Sequence, residues 1–128
     1  MHLLINSGME AVFLFLLIFK HAIVDVGLQR HLGVQKKHQW LSPKAQIHYL
    51  SHGAGTFIVL VTLDPALALI AGLCDWIAHW HIDFTKTNIN NKYELNNADY
   101  AYWWLLTIDQ LLHYTTYFLI IYFIFLNL

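Results

Sequence analysis

Cysteine is nearly absent from this chain: Cys74 is the only one. A single thiol forms neither an internal disulfide nor a thiolate cluster, and it is expected as a small core residue. Charge is scarce as well. Lys, Arg, Asp and Glu make up 12% of the 128 residues, about half the usual quarter. What charge there is nearly cancels, at −1 with histidine neutral, so the chain offers no basic footprint and no nucleic-acid partner is expected. The stretch MHLLINSGMEAVFLFLLIFK lacks a basic leader and a small-residue cleavage site, and does not read as a cleaved signal peptide. Repeats, low-complexity tracts and linkers are missing too, so residues 1–128 read as one helical domain.

Long hydrophobic runs are a further absence, although 58% of the residues are hydrophobic. Four runs stand out, at 11–19, 54–63, 66–74 and 117–126, each about half of the roughly twenty residues that span a bilayer. Extended into their polar neighbours, they predict helices near 9–28, 45–63, 66–85 and 102–126, with a tight turn at Asp64-Pro65. Polar loops are expected over 30–43 and 86–99. Arg30, Lys36, Lys37 and Lys44 gather at the first loop and Lys86 and Lys92 at the second, while the Asp64-Pro65 turn has none. The positive-inside rule then predicts a four-transmembrane-helix up-down bundle in a lipid bilayer, with both long loops cytoplasmic and both termini outside. Trp40, Trp103 and Trp104 fall near that cytoplasmic boundary, where an aromatic belt is expected. A soluble all-α domain with a very apolar core is the alternative.

What the chain has in excess is histidine, nine in all. Each predicted helix carries one polar pair: His21 and Asp25, His48 and His52, His79 and Asp83, Asp109 and His113. The spacing is i, i+4 throughout, which puts both members on one helix face a turn apart. The pairs lie late in helices one and three and early in two and four, so an up-down bundle brings all eight to one layer beside the basic loops. Interhelical hydrogen bonding accounts for any single pair. Four pairs at one spacing and one depth point instead to a metal-binding layer. Nitrogen and oxygen ligands without sulfur suit one or two divalent ions, with zinc leading and iron or manganese open.

Neighbouring residues extend the pattern. Gln29 lies one turn beyond Asp25, and Asp75 lies one turn before His79, where it is placed to accept that imidazole's second N–H. Lys86 adjoins the layer and is placed to neutralise an anionic substrate group, whereas Lys20 is expected to snorkel towards headgroups. Asp75, Lys86 and Gln29 are thus the candidate catalytic or supporting residues. Asp25 or Asp109 is expected to bridge two ions. His81 should face away, and His2, His31 and His38 should be solvated. The small residues of His-Gly-Ala-Gly at 52–55 should allow close approach of another helix.

The segments HAIVDVGLQ (21–29), HYLSHG (48–53), HWHIDFTK (79–86) and DQLLHYTTY (109–117) resemble the signature segments of the domain of unknown function 3307 family, in the family's order and over nearly the whole chain. The likeness is nearest to its phage-type branch, with Trp80 in place of the usual tyrosine and Val26 where an aromatic is common. The resemblance implies a small bacterial or phage membrane protein in the host's inner membrane, acting as a membrane-embedded metal-dependent hydrolase.

The residues and the resemblance together lead to a hydrolase that acts on an amphiphilic (phospho)ester. A proton or metal-ion transporter using a His/Asp relay, a di-iron membrane oxidoreductase and a purely structural phage membrane protein are the alternatives. A translocation path should show polar residues at several depths, and the outer half here has almost none. HYLSH supplies one His-x-x-x-His box for a di-iron oxidoreductase, but no His-x-x-His-His box accompanies it.

Overall fold

The computed structural model describes residues 2–28, 31 and 37–128, with side chains from Gly8 onward. The elements are α1 (His2–Ala22), a π-helical turn (Ile23–Gly27), α2 (Pro43–Leu60), α3 (Pro65–Lys92) and α4 (Tyr100–Asn127), and no strand occurs among the described residues. Local chemistry sets the boundaries. Pro43 and Pro65 open α2 and α3 at first-turn positions, where a missing N–H costs nothing. Asp64 caps α3 by accepting a 2.8 Å hydrogen bond from the Leu67 N–H.

Two boundaries differ from the expectation. The polar segment 86–99 is not all loop, because α3 runs on to Lys92. Asn88, which reads as a breaker, instead donates its side-chain amide to the Phe84 carbonyl at 2.8 Å and follows the helix. The helix stops where Glu94 adopts a left-handed φ of 50° and the Leu95 N–H reaches back to the Asn90 carbonyl at 3.0 Å. The second difference is the π turn, closed by the Leu28 N–H on the Ile23 carbonyl at 2.9 Å.

Each helix packs on two others, α1 on α2 and α4, and α3 on α2 and α4, while the diagonal backbones stay apart and meet only through side chains on the axis. Four helices in a ring leave one central axis, and inward faces from all four share it. At the end away from the long loops the axis is dry, filled by Leu17, Leu60, Ala68, Ile120, Ile121 and Ile124. At the loop end it is polar. The seam between α2 and α3 is the tightest: a Cβ on Gly53 would sit 2.6 Å from the Gly72 carbonyl oxygen, and one on Gly72 2.8 Å from that of Gly53. The expected close approach at His-Gly-Ala-Gly is therefore present.

Among the described residues, one helix, Tyr100–Asn127, is long and apolar enough to cross a membrane. The four crossing helices expected from sequence are not matched by that measure: polar and ionisable residues interrupt the apolar composition of α2 and α3, and fewer than eighteen residues of α1 have described side chains. Cys74 is exposed rather than in the core, since its position on α3 faces outward between α3 and α4.

Candidate metal centre

The eight paired residues do meet. Their ligand atoms form three overlapping groups: Asp25, His48, His52 and His79; His21, His79 and His113; and Asp83, Asp109 and His113. Within each group the atoms lie within 4.8 Å of one another. All eight belong to the polar end of the axis, and His48, His52 and His79 are fully buried. The depth argument from helix phase thus places them correctly.

The first group is centred on one oxygen. Asp25 Oδ1 lies 3.2 Å from His48 Nε2, 3.5 Å from His52 Nε2 and 3.6 Å from His79 Nε2. Tetrahedral ligands about 2.0–2.2 Å from a zinc ion are separated by about 3.3–3.6 Å along each edge. The three spacings from the carboxylate oxygen match. The π turn makes this possible: its wider loop carries Asp25 round towards α2 and α3, while His21 faces α4. Single π turns inside α-helices are frequent at functional sites for this reason.

Asp83, Asp109 and His113 form the second candidate ion group, which joins the first through Asp83. Its Oδ2 lies 3.5 Å from both His48 Nε2 and His79 Nε2, and its Oδ1 lies 3.4 Å from His113 Nε2. Asp83, not Asp25 or Asp109, is therefore the carboxylate placed to bridge. Asp109 Oδ1 stands 3.7 Å from His113 Nε2 on the outer side. Three residues here leave a fourth position open, as a catalytic site requires, whereas the first group supplies four.

Unpartnered atoms provide an independent fit test for a metal. Asp25 Oδ1, Asp109 Oδ1, His113 Nε2 and both ring nitrogens of His48, His52 and His79 are buried without a hydrogen-bond partner. Each such group costs about 1–3 kcal/mol if nothing compensates it. One nitrogen of each ring can face a given ion, and the Nε2 atoms of His48, His52, His79 and His113 that face Asp25, Asp83 and Asp109 suit divalent cations.

His21 differs from the other histidines because both of its ring nitrogens are engaged. Lys20 Nζ donates to the Tyr117 hydroxyl at 3.2 Å, so the hydroxyl hydrogen is free to point at His21 Nδ1, 2.9 Å away. Gln110 donates its amide to Asp109 Oδ2 at 3.0 Å, which turns its carbonyl oxygen to His21 Nε2 at 3.3 Å. Both ends of the ring agree on the tautomer with hydrogen on Nε2. That nitrogen also lies 3.5 Å from Asp25 Oδ2. In this arrangement His21 is a hydrogen-bond donor at the edge of the layer and has no lone pair for a metal.

Beneath the layer lies a second one that the sequence reading missed. Lys20 does not snorkel. It is buried, and donates to Asp75 Oδ2 at 2.7 Å, to the His52 carbonyl at 3.2 Å and to Tyr117. Thr56 Oγ1 also donates to Asp75 Oδ2, at 2.6 Å. Asp75 is thus taken up by Lys20 and Thr56, and neither ring nitrogen of His79 bonds to it. The expected Asp75–His79 bond is replaced because Gly55 opens room for the lysine stem: a Cβ there would lie 2.8 Å from Lys20 Cγ and Cδ.

Lys86 stands where expected, 3.3 Å from Asp109 Oδ2. Lys37, read from sequence only as a loop charge, pairs with Asp83. Both lysines line a cavity of about 400 Å³ that reaches His21 and Asp25 from the loop side. His81 faces away, bonded to the Ile77 carbonyl at 2.6 Å and packed against Trp40. His31 and His38 are exposed. Gln29 and the side chain of His2 lie outside the described residues.

Tyr117, Thr56 and Asp75 each lie one turn deeper on a stripe already marked, four residues from His113, His52 and His79. The i, i+4 pattern already marked Asp75, and continuing it on the other helices would have found Tyr117 and Thr56. Lys20 lies off the stripe of His21, and no comparable signal marks it.

No curated protein and no solved structure was found to match this chain. A family model does match, over residues 13–128, which takes in the second half of α1, the other three helices and every residue of the layer. The chain belongs to the protein family of unknown function DUF3307.

Proposed function

We propose that this chain is a membrane-embedded, metal-dependent hydrolase with a two-ion centre, acting on an amphiphilic (phospho)ester from the side of the basic loops. The observation that carries the reading is the convergence of buried, unpartnered nitrogen and oxygen atoms from four helices, spaced as metal ligands are. Asp25, His48, His52 and His79 would hold one ion, zinc before iron or manganese. Asp83, Asp109 and His113 would hold the other, with Asp83 shared. Divalent ions so held supply an activated water at neutral pH and polarise a phosphoryl or carbonyl oxygen.

The chain's own residues supply the rest. His21, kept in one tautomer by Tyr117 and Gln110, presents an N–H at the edge of the layer where a substrate or leaving-group oxygen would be received. Gln110 holds Asp109 and His21 at once. The dry end of the axis closes the site from the far side.

Membrane embedding is supported by an inverted distribution of side chains. Eleven polar or charged side chains are buried beside eleven apolar ones, while large apolar residues such as Phe15, Ile58, Trp104, Phe118 and Leu126 are more than half exposed. A water-soluble domain would hide the second set, and a bilayer solvates it. The helices, at 18 to 28 residues, are about 27–42 Å long, close to or above the roughly 30 Å hydrocarbon core. We therefore read all four as a multi-pass bundle in the inner membrane of a bacterial host, basic loops cytoplasmic and termini outside. Transport is the weaker reading, because polar groups stop at the Lys20–Asp75 layer and the axis beyond is apolar.

The test is phosphate release from a long-chain phosphate monoester by purified protein of measured metal content. Activity should require the metal and vanish in Asp109→Asn. Metal-replete protein that cleaves no ester, but carries protons or metal ions across liposomes, would replace this reading with transport.

A further inference from the structure

Two apolar cavities follow the seam between α3 and α4. The first, about 270 Å³, begins at Lys86 and Asp109 and continues past Ile82, Ile108 and Leu112. The second, about 470 Å³, is bounded by Ala71, Cys74, Ala78, Thr116 and Phe123. On α3 the lining positions recur every three or four residues from Ile89 back to Ile70, and on α4 from Leu105 to Phe123, so both cavities occupy one face of each helix. The helices run in opposite directions, and the two cavities therefore lie end to end along one groove. Its hollowness has a local cause: Ala71, Cys74, Ala78 and Thr116 are too small to fill the space between the backbones.

The groove is asymmetric in charge. One end reaches Lys86, which also lines the 400 Å³ cavity with Lys37, beside the second metal group. His81 also lines the first cavity, while the second touches no ionisable group but Cys74. Lys37 and Lys86 face the two carboxylates of that group, Asp83 and Asp109. A divalent cation on those carboxylates offsets their charge and leaves two ammonium groups to attract an anion.

We infer that the α3–α4 groove is the substrate's tail site: a single-chain amphiphile with a phosphate head enters sideways, its head on Lys37 and Lys86 and its chain running away from the loops towards Cys74. The inference rests on the hydrolytic reading for what happens to the head, and deepens it by assigning the tail. Lateral entry removes the need for the chain to pass the polar mouth. Free phosphate shares the head chemistry but has nothing to place in the groove.

Cys74 is a built-in reporter, the chain's only thiol, exposed within the groove. It lies about 18 Å along α3 from Lys86, at roughly 1.5 Å per residue. An extended chain gains about 1.2 Å per bond, so a tail must have about fifteen carbons to cover it. The experiment measures the rate of Cys74 alkylation by N-ethylmaleimide in detergent, with metal content determined on the same samples. Hexadecyl phosphate should slow alkylation about tenfold. Octyl phosphate should not slow it, but should compete and relieve the protection. Hexadecanol and inorganic phosphate should give none. Lys37→Gln with Lys86→Gln should abolish the protection, and Lys86→Arg in the native background should retain it. Equal protection by hexadecanol, or protection unchanged by the two glutamines, would overturn the assignment and leave an ordinary lipid-filled seam. Protection dependent on charge and length in protein that binds no metal would remove the hydrolytic reading while the tail site stands. Metal-replete protein without such protection would do the reverse.

Discussion

Lys20 Nζ lies 2.7 Å from Asp75 Oδ2 in a layer closed to solvent, and the same nitrogen reaches the His52 carbonyl and the Tyr117 hydroxyl. One ammonium thereby connects α1 to α2, α3 and α4 immediately beneath the proposed metal centre. Removing a single member of a buried pair leaves an uncompensated charge, which costs about 3–5 kcal/mol, whereas removing both is often near neutral. Lys20→Met should therefore lower the melting temperature of the detergent-solubilised protein sharply, and Lys20→Met with Asp75→Leu should recover most of the loss. A single variant as stable as the parent would mean that the pair contributes nothing.

Metal content should report the two groups separately. The native protein is expected to bind two divalent ions per chain by elemental analysis. His52→Ala should lose the ion of the first group, Asp109→Asn that of the second, and Asp83→Ala should impair both. Binding to the folded state alone stabilises by RT ln(1 + [L]/Kd), about 4 kcal/mol at a thousandfold excess, so chelation should depress the melting temperature as well. A melting temperature indifferent to chelator would remove the metal centre altogether.

His21 and its neighbours on the axis should behave differently. His21→Gln and Tyr117→Phe are expected to retain both ions, while His48→Ala is not. With cobalt substituted, the visible absorption spectrum of His21→Gln should keep the native band pattern, because no ligand has been exchanged. Loss of an ion in His21→Gln would make that imidazole a ligand and reverse the tautomer argued from Tyr117 and Gln110.

The Gly53–Gly72 contact should be intolerant of a single methyl. Gly53→Ala drives a Cβ into a backbone oxygen, and overpacking of this kind costs about 1–3 kcal/mol. The strain falls on α2 beside His52, so metal affinity should drop together with the melting temperature. Gly27→Ala is the control, since nothing lies within 4 Å of the added atom. If both alanines are equally benign, α2 and α3 are not held at that distance.

The site was more legible in the sequence than the membrane was. Spacing alone brought out His48, His52, His79, Asp83, Asp109 and His113, because i, i+4 fixes a helix face regardless of what surrounds it. Depth followed from chain direction. What spacing could not show was a change of helical pitch, so the π turn that parts Asp25 from His21 stayed hidden and both appeared to be ligands of one kind. The Lys20–Asp75 pair was hidden for a different reason: Gly55 makes the space for it on another helix, and such complementarity exists only between elements. The end of α3 was misplaced because Asn88, a loop former by habit, found its partner one turn back.

On the membrane-embedded reading proposed above, the same inversion that hides the polar groups bears on how the chain would reach a bilayer. Any of the four helices entering alone would bring an imidazole, a carboxylate or an ammonium into hydrocarbon, at several kcal/mol each. α4, which among the described helices is long and apolar enough to cross by length and composition, still carries Asp109 and His113. α2 and α3, joined by the short turn at Asp64-Pro65 and held at the Gly53–Gly72 contact, already face His48 and His52 towards His79 and Asp83 before any third helix arrives. Biogenesis by that route would insert the pair as one hairpin, with recognition between helices preceding release into lipid.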